Sequence, residues 1–269
     1  MRRVGRSFLA FLRAGVGVML QYRGEILLWA VWGIVNPAVL YAMWSAVAAG
    51  QPGGEAAGFS RGDFAAYYIG IMIVGHVSTA WDAYELGFLV RSGQLSAKLL
   101  RPILPIWESL ANNLSYKITT FPIVLPMWIV FTLLVAPDVR PAGWQIGLGI
   151  VAVILASSLN YVAGYVVALV AFWSPKLDAV GEVFFGLGML FGGRLAPLAA
   201  LPPILDAAAD VLPFRWIFAF PAELLMGRIG DPSYALAGIG VQIAWLAGII
   251  VTFRVAWTAA IKRYSAVSG

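Results

Sequence analysis

Apolar residues arrive in long runs separated by short polar stretches. The runs at 26–49, 64–90, 107–136, 143–173, 179–198 and 234–261 approach or exceed the roughly 20 residues that a helix needs to cross a bilayer. They predict six transmembrane helices. Residues 50–62 are Gly-rich and polar and read as a loop, 137–141 as a tight turn, and Ser174-Pro175-Lys176 as a break. Residues 91–105 (RSGQLSAKLLRPILP) form a basic loop with a short amphipathic helical piece.

Two stretches do not fit the simple alternation. In residues 2–23, Arg2, Arg3, Arg6, Arg13 and Gln21 fall on one side of a helical wheel, and Val4, Phe8, Phe11, Leu12, Val16 and Met19 on the other. That is the pattern of a helix lying in the membrane interface. Residues 197–230 are rich in proline yet apolar, too broken for one span and too apolar for a solvated loop. With helical patterns at 204–212 and 222–226, the segment suits short re-entrant helices sheltered by others. The expected fold is all-α and integral to the membrane, one transmembrane domain over 1–269 with no internal repeat.

Composition agrees. Of 269 residues, 61% are hydrophobic and 12% charged, with mean hydropathy +0.85. Soluble domains carry about 25% charge, and a chain this long still needs a wetted surface unless lipid replaces the water. Ala46-Val47-Ala48 resembles a signal cleavage site, but the apolar run before it exceeds the roughly 7–15 residues of a signal core. The run is read as a retained span.

The net charge of +5 is dispersed between the apolar runs rather than gathered on one face, which argues against nucleic acid. With the N-terminus in the cytoplasm, the inner side carries Arg2, Arg3, Arg6, Arg13, Arg23, Arg91, Lys98, Arg101, Lys176, Arg254, Lys262 and Arg263. The outer side carries Arg61, Arg140, Arg215 and Arg228, with Lys117 and Arg194 left in the membrane. This bias places both termini in the cytoplasm.

Little enzymatic chemistry is present. The four lysines precede Leu99, Ile118, Leu177 and Arg263, so none belongs to a phosphate-binding G-x-x-x-x-G-K-[ST] loop. No catalytic residue and no metal site is expected; His76 is the one histidine, and cysteine is absent. Intramembrane charge is costly and asks for a partner or a purpose. Asp82 and Glu85 near the cytoplasmic end of the second run, with Asn112, Asn113 and Lys117 in the third, predict a polar cluster. Asp82 and Lys117 lie at matching depths of about 13–15 Å and suit an ion pair. Glu182 and Arg194 in the fifth run are too far apart to pair along one helix. Gly143-x-x-x-Gly147 and Gly188-x-x-x-Gly192 permit close helix approach.

Over nearly its whole length the chain resembles the membrane (permease) subunit of ABC transporters of the type-2 exporter class. The resemblance rests on Leu99-Leu100-Arg101-Pro102-Ile103-Leu104-Pro105, on Gly192-Gly193-Arg194-Leu195-Ala196-Pro197-Leu198 with Leu201-Pro202, and on Leu212-Pro213-Phe214-Arg215, Phe220-Pro221 and Leu225-Met226-Gly227. It implies an interfacial connecting helix before the first span, and a coupling helix at about 92–100 that meets an ATPase through Gln94, Leu95, Ser96, Lys98, Leu99 and Arg101. It implies two permeases, identical or related, and two soluble ATPase subunits that bind ATP and Mg, in the plasma (inner) membrane. Arg194 departs from the small or apolar residue expected at its position. The translocation path would run along the second and fifth spans, with Trp81, Tyr84, Phe184, Phe185, Phe191 and Arg194 as candidates. The competing expectation is a stand-alone secondary transporter or channel working through Asp82, Glu85 and Lys117.

Overall fold

In the computed structural model, which describes residues 2–139, 141–174 and 177–264, the chain is helical almost throughout. Only the backbone is described at residues 2–4, 23, 82 and 83. The expectations resting on Arg140, Pro175 and Lys176, and on the side chains of Arg2, Arg3, Val4, Arg23 and Asp82, therefore fall outside the described residues. The Asp82–Lys117 pair is among them.

α1 (Arg2–Gln21) is amphipathic as the wheel predicts. Its Phe8, Phe11, Leu12 and Met19 are partly buried and Arg6 and Arg13 are exposed. It lies along the first half of α6 (Pro105–Val135), where Ser115 Oγ donates to Leu12 O at 3.1 Å and Phe8 meets Trp107 edge to face. α2 (Arg23–Ala49) carries Pro37 inside, which leaves the Gly33 carbonyl without its helical donor. A two-residue hairpin, β1 (Glu55–Ala56) with β2 (Phe59–Ser60), follows. α7 (Gly143–Ala168) continues through a 3₁₀ turn at Leu169–Phe172, and α12 (Pro232–Arg263) ends the described chain.

Among the described residues, four helices are long and apolar enough to cross a membrane: Gly24–Ala49, Pro105–Val135, Gly143–Phe172 and Pro232–Arg263. The other two predicted spans are not continuous helices. The second is α3 (Arg61–Ser78) and α4 (Asp82–Arg91), interrupted at Thr79–Trp81. Three side chains from other helices hold the carbonyls freed there. Ser157 Oγ donates to Val77 O at 2.8 Å, Asn160 Nδ2 to Ser78 O at 2.7 Å and Asn113 Nδ2 to Thr79 O at 3.0 Å. The fifth is α8 (Leu177–Phe191), 15 residues rather than a run to Leu198. That is about 22 Å of helix against roughly 30 Å of hydrocarbon. It stops because Gly193 takes φ +70° and turns the chain.

The proline-rich segment forms α9 (Pro203–Val211), α10 (Pro213–Ile217) and α11 (Ala219–Leu225), the first two with Pro in the opening turn, where its missing N–H costs no helical bond. α10 and α11 are buried in the bundle through Trp216, Ile217, Phe218, Phe220 and Leu224. Their broken backbone is again served by side chains. Gln242 Nε2 donates to Trp216 O at 2.7 Å and to Ala152 O at 3.0 Å, and Gln145 Nε2 to Ile229 O at 2.7 Å.

Candidate functional site: an aromatic cavity with one cation

A cavity of about 390 Å³ lies between α2, the α3–α4 break, α6, α7, α8 and α10. Trp29, Trp32, Trp81, Tyr84, Phe184 and Phe185 form much of its wall, with Gly33 and Pro37 also on the α2 side. Trp32, Trp81 and Phe185 are 64, 50 and 52% exposed, so the cavity opens on the flank formed by α2 and α8. Its polar groups are few: Asn36, His76, Thr79, Tyr116, Asn160, Glu182 and Arg194. His76 Nε2 lies 3.1 Å from Thr120 Oγ1 and its ring meets Tyr116 and Trp128, so it is a packed wall residue. Tyr84 OH donates to Glu182 Oε1 at 3.2 Å.

Of the predicted path residues, Trp81, Tyr84, Phe184, Phe185 and Arg194 line this cavity; Phe191 packs instead against Leu198, Ala209 and Ala219. Sequence reasoning passed over the α2 wall, Phe214 and Phe218. The available signals were Asn36-Pro37 inside an otherwise apolar run and the lone Asn160 in α7.

Two members of the predicted polar cluster, Asn113 and Lys117, meet the α3–α4 break, Lys117 by way of Ser157. Asn112 Oδ1 sits beside Gly15 of α1, Asn113 serves the α3–α4 break, and Lys117 Nζ donates to Ser157 Oγ at 3.1 Å. Glu85 lies 3.7 Å from Lys98, on the 91–105 loop. Described side chains therefore send Glu85 and Lys117 to different partners.

That loop is built around α5 (Leu95–Leu99), entered through Gly93 at φ +72°. Leu95 is wholly buried against Leu86, Tyr165 and Phe253, and Leu99 is partly buried. Lys98 Nζ lies 3.3 Å from Glu108, and Arg101 2.8 Å from the same carboxylate. Ser96 Oγ donates to Gly93 O at 2.7 Å and meets Tyr264 OH at 3.0 Å. What remains outward is Gln94, Ala97, Arg101 and above all Leu100, 88% exposed. Of the six predicted coupling residues, Gln94 and Arg101 face out, Leu95 faces in, and Ser96, Lys98 and Leu99 are partly covered.

Comparison with known proteins adds the family. Residues 34–268 match the model of the ABC-2 family transporter protein, which takes in every transmembrane helix except the start of α2. No curated protein matches the chain. A multi-pass helical bundle, an aromatic cavity between broken helices and this match over most of the sequence lead to one assignment: the chain belongs to the ABC-2 transporter family and is the membrane component of an ABC transporter.

Proposed function

We propose that this permease forms the translocation path of an ATP-driven exporter, pairing with a second permease and docking two soluble ATPase subunits that bind ATP and Mg. The reading places the protein in the plasma (inner) membrane with both termini in the cytoplasm. It counts α3–α4 and α8 with its Gly192–Leu198 extension as the second and fifth of six membrane passages, and α9–α11 as re-entrant.

The observation that carries it is the construction of the 91–105 loop. A plain connector would leave its cations to water. Here Lys98 and Arg101 are held by Glu85 and Glu108, and Leu95 is a core residue, while Leu100 is left bare. A braced loop with an exposed leucine suits a groove on a soluble partner, since an isolated apolar contact gains by leaving water. A push on α5 also has somewhere to go. It is tied to α4 through Glu85, to α6 through Glu108 and to α12 through Tyr264. ATP-driven closure of the partners would reach α4, and so the wall carrying Tyr84, by rigid-body movement.

The test is gentle purification of the tagged protein from its host, followed by mass spectrometry of the bound chains. A stoichiometric Walker-type ATPase supports the reading. A permease that comes out alone even after crosslinking defeats it.

A further inference from the structure

We infer that Arg194 is a receptor for an anionic group, so that the cavity takes an amphiphilic anion with an apolar body. The inference deepens the transport reading and rests on it for calling the occupant cargo.

The segment bearing Arg194 is held from both sides. Tyr67 OH donates to Gly193 O at 2.7 Å, while Tyr68 OH and Trp44 Nε1 donate to Leu195 O at 3.0 and 3.1 Å. Gly193 admits no side chain, because a Cβ would meet the Tyr67 hydroxyl and Ala219. A backbone pinned this way fixes where its arginine stands.

The guanidinium is held by its neighbours yet left without a counter-ion. Its carbon lies 4.8 Å from the Phe218 ring centre and 5.4 Å from that of Phe185. Cation–π contact satisfies the face of a guanidinium and uses none of its five N–H donors. Among the described residues, no carboxylate lies within 4.0 Å of it and no side chain or carbonyl accepts a hydrogen bond from it. Arg215 and Arg228 show the contrast. Each stands against an aromatic ring as well, but Arg215 is 2.7 Å from Asp210 and Arg228 is 2.8 Å from Asp63. A planar fork of free donors suits carboxylate, sulfonate or phosphate. The aromatic wall running from it toward Trp81 and Tyr84 suits the body of the same molecule, and the volume is of the order that holds a small ligand.

The experiment uses the full-length protein in nanodiscs and three probes sharing one apolar body: pyrenebutyrate, pyrenebutanol and pyrenebutyl-trimethylammonium. Binding is read by energy transfer from the cavity tryptophans. The carboxylate should bind roughly ten- to hundredfold tighter than the alcohol or the ammonium, the scale of a hydrogen bond to a charged group. R194Q should bring the carboxylate down to the alcohol and leave the alcohol unchanged, which also reports an intact cavity. R194K should keep a preference for the anion. Nanodiscs of phosphatidylcholine with and without phosphatidylglycerol separate the sources. Competition by phosphatidylglycerol assigns the anion to a lipid headgroup, and its absence assigns it to a molecule arriving from solution; both support Arg194 as the receptor. Equal binding of the three probes, or a preference that survives R194Q, overturns the inference. That failure is distinct from failure of the transporter reading, which turns on a co-purifying ATPase.

Discussion

Gly193 carries two requirements at once, a left-handed backbone and space for the Tyr67 hydroxyl. An L-residue at such a position costs about 1–2 kcal/mol before any clash is counted. Gly193→Ala should therefore lower the thermal unfolding midpoint in detergent, and by displacing the Tyr67 bond it should also shift the backbone of Arg194. A variant as stable as the parent would mean that the turn is slack. Asp231 offers a titration at the same scale. Its carboxylate accepts from the Ser233 hydroxyl and from the Ser233 amide at the head of α12, and these bonds hold it below the usual carboxylate range. A depressed value means that the carboxylate's contribution is fully present above its unfolded value of 3.8 and is lost as pH falls through the folded one. Asp231→Asn should flatten that acid limb of the stability profile, measured as midpoint against pH, by lowering the neutral-pH midpoint toward the value the parent reaches in acid.

At the scale of elements, the interruption between α3 and α4 is stable because its carbonyls have donors. Asn113 and Asn160 come from α6 and α7, and a buried carbonyl left bare costs about 1–3 kcal/mol. Asn113→Ala and Asn160→Ala should each lower the unfolding midpoint, and the double variant should depart from the sum, because both serve one stretch of backbone. Unchanged midpoints in the single variants would show that the break stands without them. This break also marks how far the sequence could be read. Long apolar runs announce helices because lipid and core ask for the same side chains. Positions 79–81 look no different from the rest of their run, since what holds them open stands at 113, 157 and 160. The α5 loop was legible as an element and not as a face. Five residues hold too little periodicity to separate Leu95, wholly buried, from Leu100, 88% exposed. Their substitutions should separate cleanly. Leu95→Ala loses about 2–5 kcal/mol of core packing and should lower stability. Leu100→Asp should leave the midpoint alone and abolish retention of the ATPase in a pull-down.

For the molecule as a whole, the open flank of the cavity asks what covers it. Trp32 on α2 and Phe185 on α8 are more than half exposed, as are many apolar residues away from the cavity, such as Val255 on α12, at 68%. Exposure alone cannot distinguish lipid from protein, because both accept apolar surface. The difference is that Trp32 and Phe185 rim a cavity with Glu182 and Arg194 in its wall, whereas no described residue of α12 reaches it. Acyl chains packed over those charged groups would leave them unserved, and charge facing hydrocarbon is what membrane proteins avoid. A second permease laid across α2 and α8 would instead close two such cavities into one enclosed path. The chain contains no cysteine, so single thiols can be placed without background. Trp32→Cys and Phe185→Cys should crosslink through a short bismaleimide into a two-permease product in intact membranes, and Val255→Cys should not. The reverse pattern would put the partner on α12, leave the cavity mouth facing lipid, and make lateral access from the bilayer the route by which an amphiphile reaches Arg194.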